Sequence, residues 1–97
     1  MVRVHDMLAH RFRAEAAMNE LMASVVGVLG EAGAEGLTNA EIGRLLNIYM
    51  GHKRHSGHIS RTLLAMLEQN GFVTQDADKR WHLTQLSTEE LQAKSKV

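Results

Sequence analysis

"HISRTLLAMLEQNGFVTQDADKRWHLT", residues 58–84, is the stretch of sequence that decides the fold. Its first half has apolar residues at the spacing of an amphipathic helix, namely Ile59, Leu63, Met66 and Leu67 at i, i+4, i+7 and i+8. Gly71 follows at the position where a left-handed C-terminal cap is expected. The pattern therefore predicts a helix over residues 58–70.

After the glycine the period of the apolar residues falls from 3.6 to about 2, which is typical of β-strands. "FVTQ" (72–75) and "RWHLT" (80–84) flank the short segment "DADK", so the sequence predicts a β-hairpin with a small tip. Alternation directs Val73, Trp81 and Leu83 to the inner face of the hairpin.

Two further helices are predicted before this stretch and one after it. "AEAAMNELMASVVGVL" (14–29) has an apolar stripe at helical spacing, and "GEAGAEG" (30–36) ends it. "LTNAEIGRLLNIY" (37–49) begins with a capping box of Thr38 and Glu41, and it predicts one apolar face that includes Leu45. Ser87 and Glu90 form a second such box, which predicts a short C-terminal helix.

The predicted fold class is mainly α with a small β-hairpin, in the order α-α-α-β-β-α. "LTNAEIGRLL", "GHISRTLLAMLEQNGFV" and the hairpin ending in "RWHLT" resemble a winged helix-turn-helix domain of the kind found in MarR-like and ArsR-like bacterial regulators. The resemblance covers about residues 18–84. We expect one domain over 1–97, with an N-terminal helix extension (1–17), the core (18–84) and a C-terminal helix and tail (85–97).

One segment departs from the tight motif of that family. The connection "NIYMGHKRHSG" (47–57) is longer than the usual three- or four-residue turn between the two helices. The same connection lies in an interval that has no acidic residue between Glu41 and Glu68, although the whole chain has a net charge of zero. The interval therefore predicts a local positive surface.

The resemblance implies that the chain binds double-stranded DNA as a small transcription regulator, with the helix 58–70 in the major groove. Arginine in the first turns of such a helix can bind guanine, and surrounding cations neutralise phosphates. Base contacts are expected from Arg61 and Ser60, and also from Thr62 and His58. The predicted phosphate contacts are Arg44, Lys53, Arg54 and His55. The two cations at the hairpin tip, Lys79 and Arg80, are also predicted to contact DNA.

Two other functions compete with DNA binding. A neutral chain with Asp76 and Asp78 at the hairpin tip also fits a winged-helix module that binds proteins within a larger assembly. The H-x-x-H-x-x-H spacing of His52, His55 and His58 would suit a metal-responsive regulator, but Gly57 interrupts it and no nearby carboxylate orients the histidines. No catalytic motif is evident, so we expect neither an enzyme nor a cofactor.

The first helix has more apolar surface than one core needs. If residues 6–29 form one helix, a second apolar stripe lies about 100° from the first, which predicts a two-fold homodimer seam. The predicted seam comprises Leu8, Phe12, Ala16, Ala23, Val26, Leu86 and Leu91.

The sequence predicts a cytoplasmic protein. The start "MVRVHDMLAHRFR" has no apolar core of a secretory signal, and the chain has no cysteine. Its longest apolar run, "LMASVVGVLG" (21–30), is about half the length needed to cross a bilayer.

Overall fold

A computed structural model describes residues 4–50 and 57–88 of the chain. It contains helix α1 (Val4–Ala32), a 3-10 helix (Gly33–Glu35), α2 (Asn39–Leu45) and α3 (His58–Gln69). Strands β1 (Val73–Gln75) and β2 (Trp81–Leu83) follow, and residues 85–88 are again helical. The fold is thus mainly helical with a small hairpin, as predicted, although the 3-10 helix makes the order of elements differ from the predicted one.

α1 is a single helix of 29 residues, and only its second half contributes to the core. Val25 and Leu29 are buried, while Met18, Leu21 and Met22 pack against them from the same stripe. This stripe is the one that the apolar spacing predicted. By contrast, every residue of α1 from 4 to 17 is exposed.

The buried core joins this half of α1 to α2, α3 and the hairpin. Eight apolar side chains form it, and burying each stabilises the fold by about 1.5–3 kcal/mol relative to an exposed position. They are Val25, Leu29, Ile42, Leu63, Leu64, Leu67, Val73 and Trp81.

The start of α2 confirms the predicted capping box. The backbone N–H of Glu41 donates to Thr38 Oγ1 at 3.2 Å, and the backbone N–H of Thr38 donates to Glu41 Oε1 at 2.9 Å. Both donors would otherwise lack a partner at the helix start. Hydrogen bonding to the Glu41 carboxylate lowers its pKa, first from the backbone N–H of Thr38 and then from the Thr38 hydroxyl.

α2 is shorter than its apolar pattern indicates, and its predicted face is wrong at Leu45. The helix ends at Leu45, because Asn47 takes a left-handed conformation with φ of 58°. Leu45 is 63% exposed, whereas Ile42 is fully buried. Tyr49 lies beyond the helix and covers Gly43, where an added Cβ would stand 2.9 Å from the tyrosine ring.

α3 and the hairpin follow the predicted boundaries closely. α3 ends one residue before the predicted end, and Gly71 has the expected left-handed conformation with φ of 78°. β1 and β2 pair antiparallel in a register that places Val73 opposite Leu83. Val73 and Trp81 face the core as expected.

The hairpin is also joined to the segment between α1 and α2. Leu37 and Trp81 exchange both backbone hydrogen bonds, at 3.1 and 2.7 Å. Gly36 precedes this bridge with φ of 65°, and a Cβ there would lie 2.5 Å from the Trp81 carbonyl oxygen. A glycine is therefore required by both backbone conformation and space.

The C-terminal helical turn begins differently from the prediction. Thr84 caps it, because its Oγ1 accepts from the backbone N–H of Ser87 at 3.4 Å. Ser87 is itself buried, and its hydroxyl donates to the Phe72 carbonyl at 2.6 Å. The predicted cap at Ser87 is therefore wrong.

Candidate nucleic-acid interface

α3 presents one packed face and one exposed face. Leu63, Leu64 and Leu67 bury the inner face. The exposed face includes His58, Arg61, Thr62, Ala65 and Glu68. Residues 42–67 include no acidic residue. The N-terminal half of the exposed face therefore has only basic and neutral side chains.

The beginning of α3 is held by a buried cluster of polar contacts centred on the Gly57 carbonyl. This oxygen accepts from Ser60 Oγ at 3.1 Å, from Asn39 Nδ2 at 3.1 Å and from the Arg61 backbone N–H at 3.0 Å. Gly57 has φ of 84°, and a Cβ there would stand 2.8 Å from Asn39 Nδ2. These contacts fix the start of α3 against the start of α2.

This cluster corrects one predicted DNA contact. Ser60 is fully buried, and its hydroxyl also lies 3.5 Å from the Asn39 carbonyl. A side chain in this position cannot reach a base edge without unfolding the first turn of the helix. Ser60 therefore has a structural role, and Thr62 is the exposed hydroxyl of this turn, with its Oγ1 donating to the His58 carbonyl at 2.9 Å.

Arg44, a predicted phosphate contact, lies on the exposed side of α2. Its guanidinium carbon is 4.6 Å from the centre of the Tyr49 ring, which is within the range of a cation–π interaction. The ring orients a cation that keeps its donors at the surface. The contact between Tyr49 and Arg44 depends on the turn at Asn47, which the helical pattern did not predict.

The predicted loop contacts Lys53, Arg54 and His55 lie outside the described residues, as does His52. Of the proposed histidine triplet only His58 is described, and it is exposed. Over residues 4–50 and 57–88, no group of three His, Asp or Glu side chains is placed to hold a metal ion.

The hairpin tip is built around the carboxylate of Asp76. Its Oδ1 accepts from the backbone N–H groups of Asp78 and Arg80 at 2.8 and 3.0 Å, and its Oδ2 is 2.7 Å from His82 Nε2. The hydrogen bond from His82, followed by that from the Arg80 backbone, lowers the pKa of Asp76. Lys79 is exposed at the same tip.

Arg80 is the second predicted DNA contact that the structure corrects. Its Nε donates to the Glu35 carbonyl at 2.7 Å and one terminal nitrogen donates to the Gly36 carbonyl at 3.0 Å. The same terminal nitrogen is 3.4 Å from Glu41 Oε1. Arg80 therefore fastens the hairpin to the α1–α2 connection, and a contact with phosphate would require it to release these partners.

The predicted dimer residues differ in exposure. Leu8, Phe12, Ala16, Ala23 and Leu86 are exposed, as a seam requires. Val26 is partly buried and packs against the core of its own chain, so it offers less surface to a seam than the other residues. Leu91 lies outside the described residues.

A shallow cavity of about 400 Å³ lies between the end of α1, strand β2 and the C-terminal helical turn. Its lining is mainly apolar and comprises Leu29, Gly30, Gly33, Ala34, His82, Leu83 and Thr88. His82 is its one titratable residue, and it is already engaged with Asp76.

Comparisons with protein-family models, with curated proteins and with solved structures found no match to this chain. No described helix is long and apolar enough to span a membrane.

Proposed function

We propose that the chain is a small winged-helix transcription regulator that binds double-stranded DNA sequence-specifically. In this proposal α2 and α3 form the helix-turn-helix, the β1–β2 hairpin is the wing, and α3 lies in the major groove. The observation that carries the proposal is the exposed N-terminal half of α3, where His58 and Arg61 stand in an interval without acidic residues while the opposite face is buried.

The distribution of charge along α3 indicates which end of the helix would enter the DNA groove. Glu68 is seven residues after Arg61, and at a rise of about 1.5 Å per residue it lies roughly 10 Å further along the helix. A recognition helix contacts base edges with its N-terminal residues. The N-terminal half of α3 would therefore enter the groove, with the acidic half directed away from the phosphates.

Each exposed residue has a stated role in this proposal. Arg61 binds a base edge, with Thr62 and His58 beside it. Arg44 binds a phosphate, its orientation set by the Tyr49 ring. Lys53, Arg54 and His55 contribute phosphate contacts from the segment between α2 and α3, and this part of the proposal rests on the sequence alone. Lys79 provides one cation at the wing, where Asp76 and Asp78 limit the contact.

The test is binding to random-sequence duplex DNA across a salt series. We compare the wild type with Lys53→Ala/Arg54→Ala, with Arg61→Ala and with Arg13→Ala, an exposed arginine outside the proposed DNA-binding surface. Each lost phosphate contact should reduce the slope of log affinity against log salt by about 0.9. On a selected site, Arg61→Ala should cost about 1–3 kcal/mol of binding energy.

Two results would contradict DNA binding by this surface. One is an absence of binding even at low salt. The other is an Arg61→Ala variant that binds as tightly as Arg13→Ala on both random and selected DNA.

A second function, a protein-interaction module, is favoured by one specific observation. The first half of α1 exposes large apolar side chains, among them Val4 and Phe12, at 72% and 63%. Failure of DNA binding, together with loss of a partner on substitution of Phe12, would support this alternative.

A further inference from the structure

We propose that residues 4–17 of α1, here called the arm, form an antiparallel two-helix contact with the arm of a second copy of this chain. The inference concerns a surface separate from the proposed DNA-binding face and does not depend on DNA binding. It rests on three features of the arm: its exposure, the symmetry of its apolar residues and the balance of its charges.

The first feature is that the arm is helical and exposed throughout. All residues from 4 to 17 are exposed, and the apolar ones include Val4, Met7, Leu8 and Phe12. Most of the stability of helices in proteins comes from packing an apolar face rather than from intrinsic propensity. A helix with such a face is therefore expected to pack against another surface.

The second feature identifies a second copy as the occupant. A two-fold contact requires a patch that is complementary to itself. Val4 and Phe12 lie four residues before and four residues after Leu8, and successive members of this series are offset by only about 40° around the helix. When two arms run antiparallel with Leu8 at the axis, each Val4 faces the Phe12 of the other copy.

The third feature is that the charges of the arm are balanced. Residues 4–17 contain two acidic and two basic side chains. Arg11 Nε is 2.9 Å from Glu15 Oε1, His5 Nε2 is 3.2 Å from Asp6 Oδ1, and an Arg13 terminal nitrogen is 3.3 Å from His10 Nδ1. The arm therefore has no net charge that a partner would have to oppose.

The same balance argues against other occupants. A helix that binds an anionic membrane surface has a basic polar face, and a polyanion requires uncompensated cations. The arm has as many acidic as basic side chains, so it has no excess of cations. A second copy has the same neutral surface, so two arms can approach without net repulsion.

The arm alone offers a small interface, so the dimer should be weak. Specific interfaces bury about 800 Å² per partner, and four apolar side chains supply only part of this area. We therefore expect a dissociation constant on the order of 10 µM.

The first experiment is sedimentation equilibrium of the full chain over about 1–500 µM, a range that brackets the expected constant. The wild type should change from monomer to dimer across it. Phe12→Ser and Leu8→Ser should raise the dissociation constant roughly tenfold or more, because residues at the centre of an interface dominate its affinity. Ala17→Ser, which lies on the opposite side of the helix from Leu8, should leave it unchanged.

The second experiment uses the absence of cysteine from the chain. Leu8→Cys places a single thiol at the proposed axis, and His10→Cys places one two residues away but about 200° around the helix. On mild oxidation at 50 µM, a concentration of the order of the expected constant, Leu8→Cys should form a disulfide-linked dimer much faster than His10→Cys. Circular dichroism of each variant checks that the helices are retained.

Three outcomes would overturn the proposal. The first is a wild type that stays monomeric over the whole range, which would leave a foreign protein as the occupant of the arm. The second is a dimer whose affinity is unaffected by Phe12→Ser and Leu8→Ser, and the third is equal cross-linking rates at positions 8 and 10.

Discussion

The two halves of α1 have similar apolar content in the sequence but opposite surroundings in the structure. Val25 and Leu29 in the second half are buried against α3 and the hairpin, whereas Leu8 and Phe12 in the arm are exposed. An apolar stripe therefore predicts that a helix face will be covered, but it does not identify what covers it. In one half of α1 the domain itself covers the stripe, and in the other we propose a second copy.

The largest expected effect on stability comes from a pair of substitutions, one in each half of α1, which tests this difference directly. Leu29→Ala should lower the free energy of unfolding by about 2–5 kcal/mol, because it leaves a cavity in the core. Phe12→Ala should change it by less than about 0.5 kcal/mol when measured on the monomer, because the side chain is already in water. Urea denaturation at low protein concentration measures both. Equal losses would show that the arm packs on its own domain.

The segment that follows the packed half of α1 is held to the hairpin by the Arg80 side chain. Removing this side chain should have a second and smaller effect on stability. Arg80→Ala removes the hydrogen bonds to the Glu35 and Gly36 carbonyls and should cost about 1–2 kcal/mol, since bonds from a charged donor are stronger than neutral ones. Lys79→Ala, at the exposed neighbouring position, is the matched control and should cost much less. If the two variants unfold at the same urea concentration, Arg80 does not hold the hairpin in place.

The smallest expected effect is on the pH dependence of stability, and it arises from Asp76 at the tip of the same hairpin. Folding lowers the pKa of Asp76, chiefly through the hydrogen bond from His82. The Asp76 carboxylate therefore contributes its full stabilisation at pH values above its ordinary pKa of 3.8. This stabilisation is lost as the pH falls through the lower value of the folded state. Asp76→Asn should therefore be less stable at neutral pH and should lose less stability in acid than the wild type. Asp78→Asn is the control, and an identical acid response of the two variants would contradict this role.

The sequence was sufficient to predict the structural features that depend on contacts between residues close together in the chain. The helix over 58–69, the left-handed Gly71 and the capping box of Thr38 with Glu41 each arise from contacts within a few positions, so a local pattern predicts them. The strands of the hairpin were predicted for the same reason, because alternation continues on both sides of a short tip.

The candidate site was predicted less well, since its side chains depend on distant partners. Ser60 is buried against the Asn39 carbonyl, 21 residues earlier, and Arg80 reaches Glu35, 45 residues earlier. A helical wheel places Ser60 only by its angle, and alternation directs Arg80 outward without regard to what lies beside the strand. Both therefore resemble surface residues in the sequence although each joins two parts of the fold.

The chain contains one tryptophan, and its position determines what a fluorimeter can detect. The Trp81 indole is 8% exposed in the core, and its backbone bridges Leu37 and pairs with Gln75. Its emission should shift to longer wavelength when the core opens to water. The arm lies outside this environment, so intrinsic fluorescence should report unfolding of the domain while remaining silent to association of the arms. The two events can therefore be followed separately in one sample, without an attached dye.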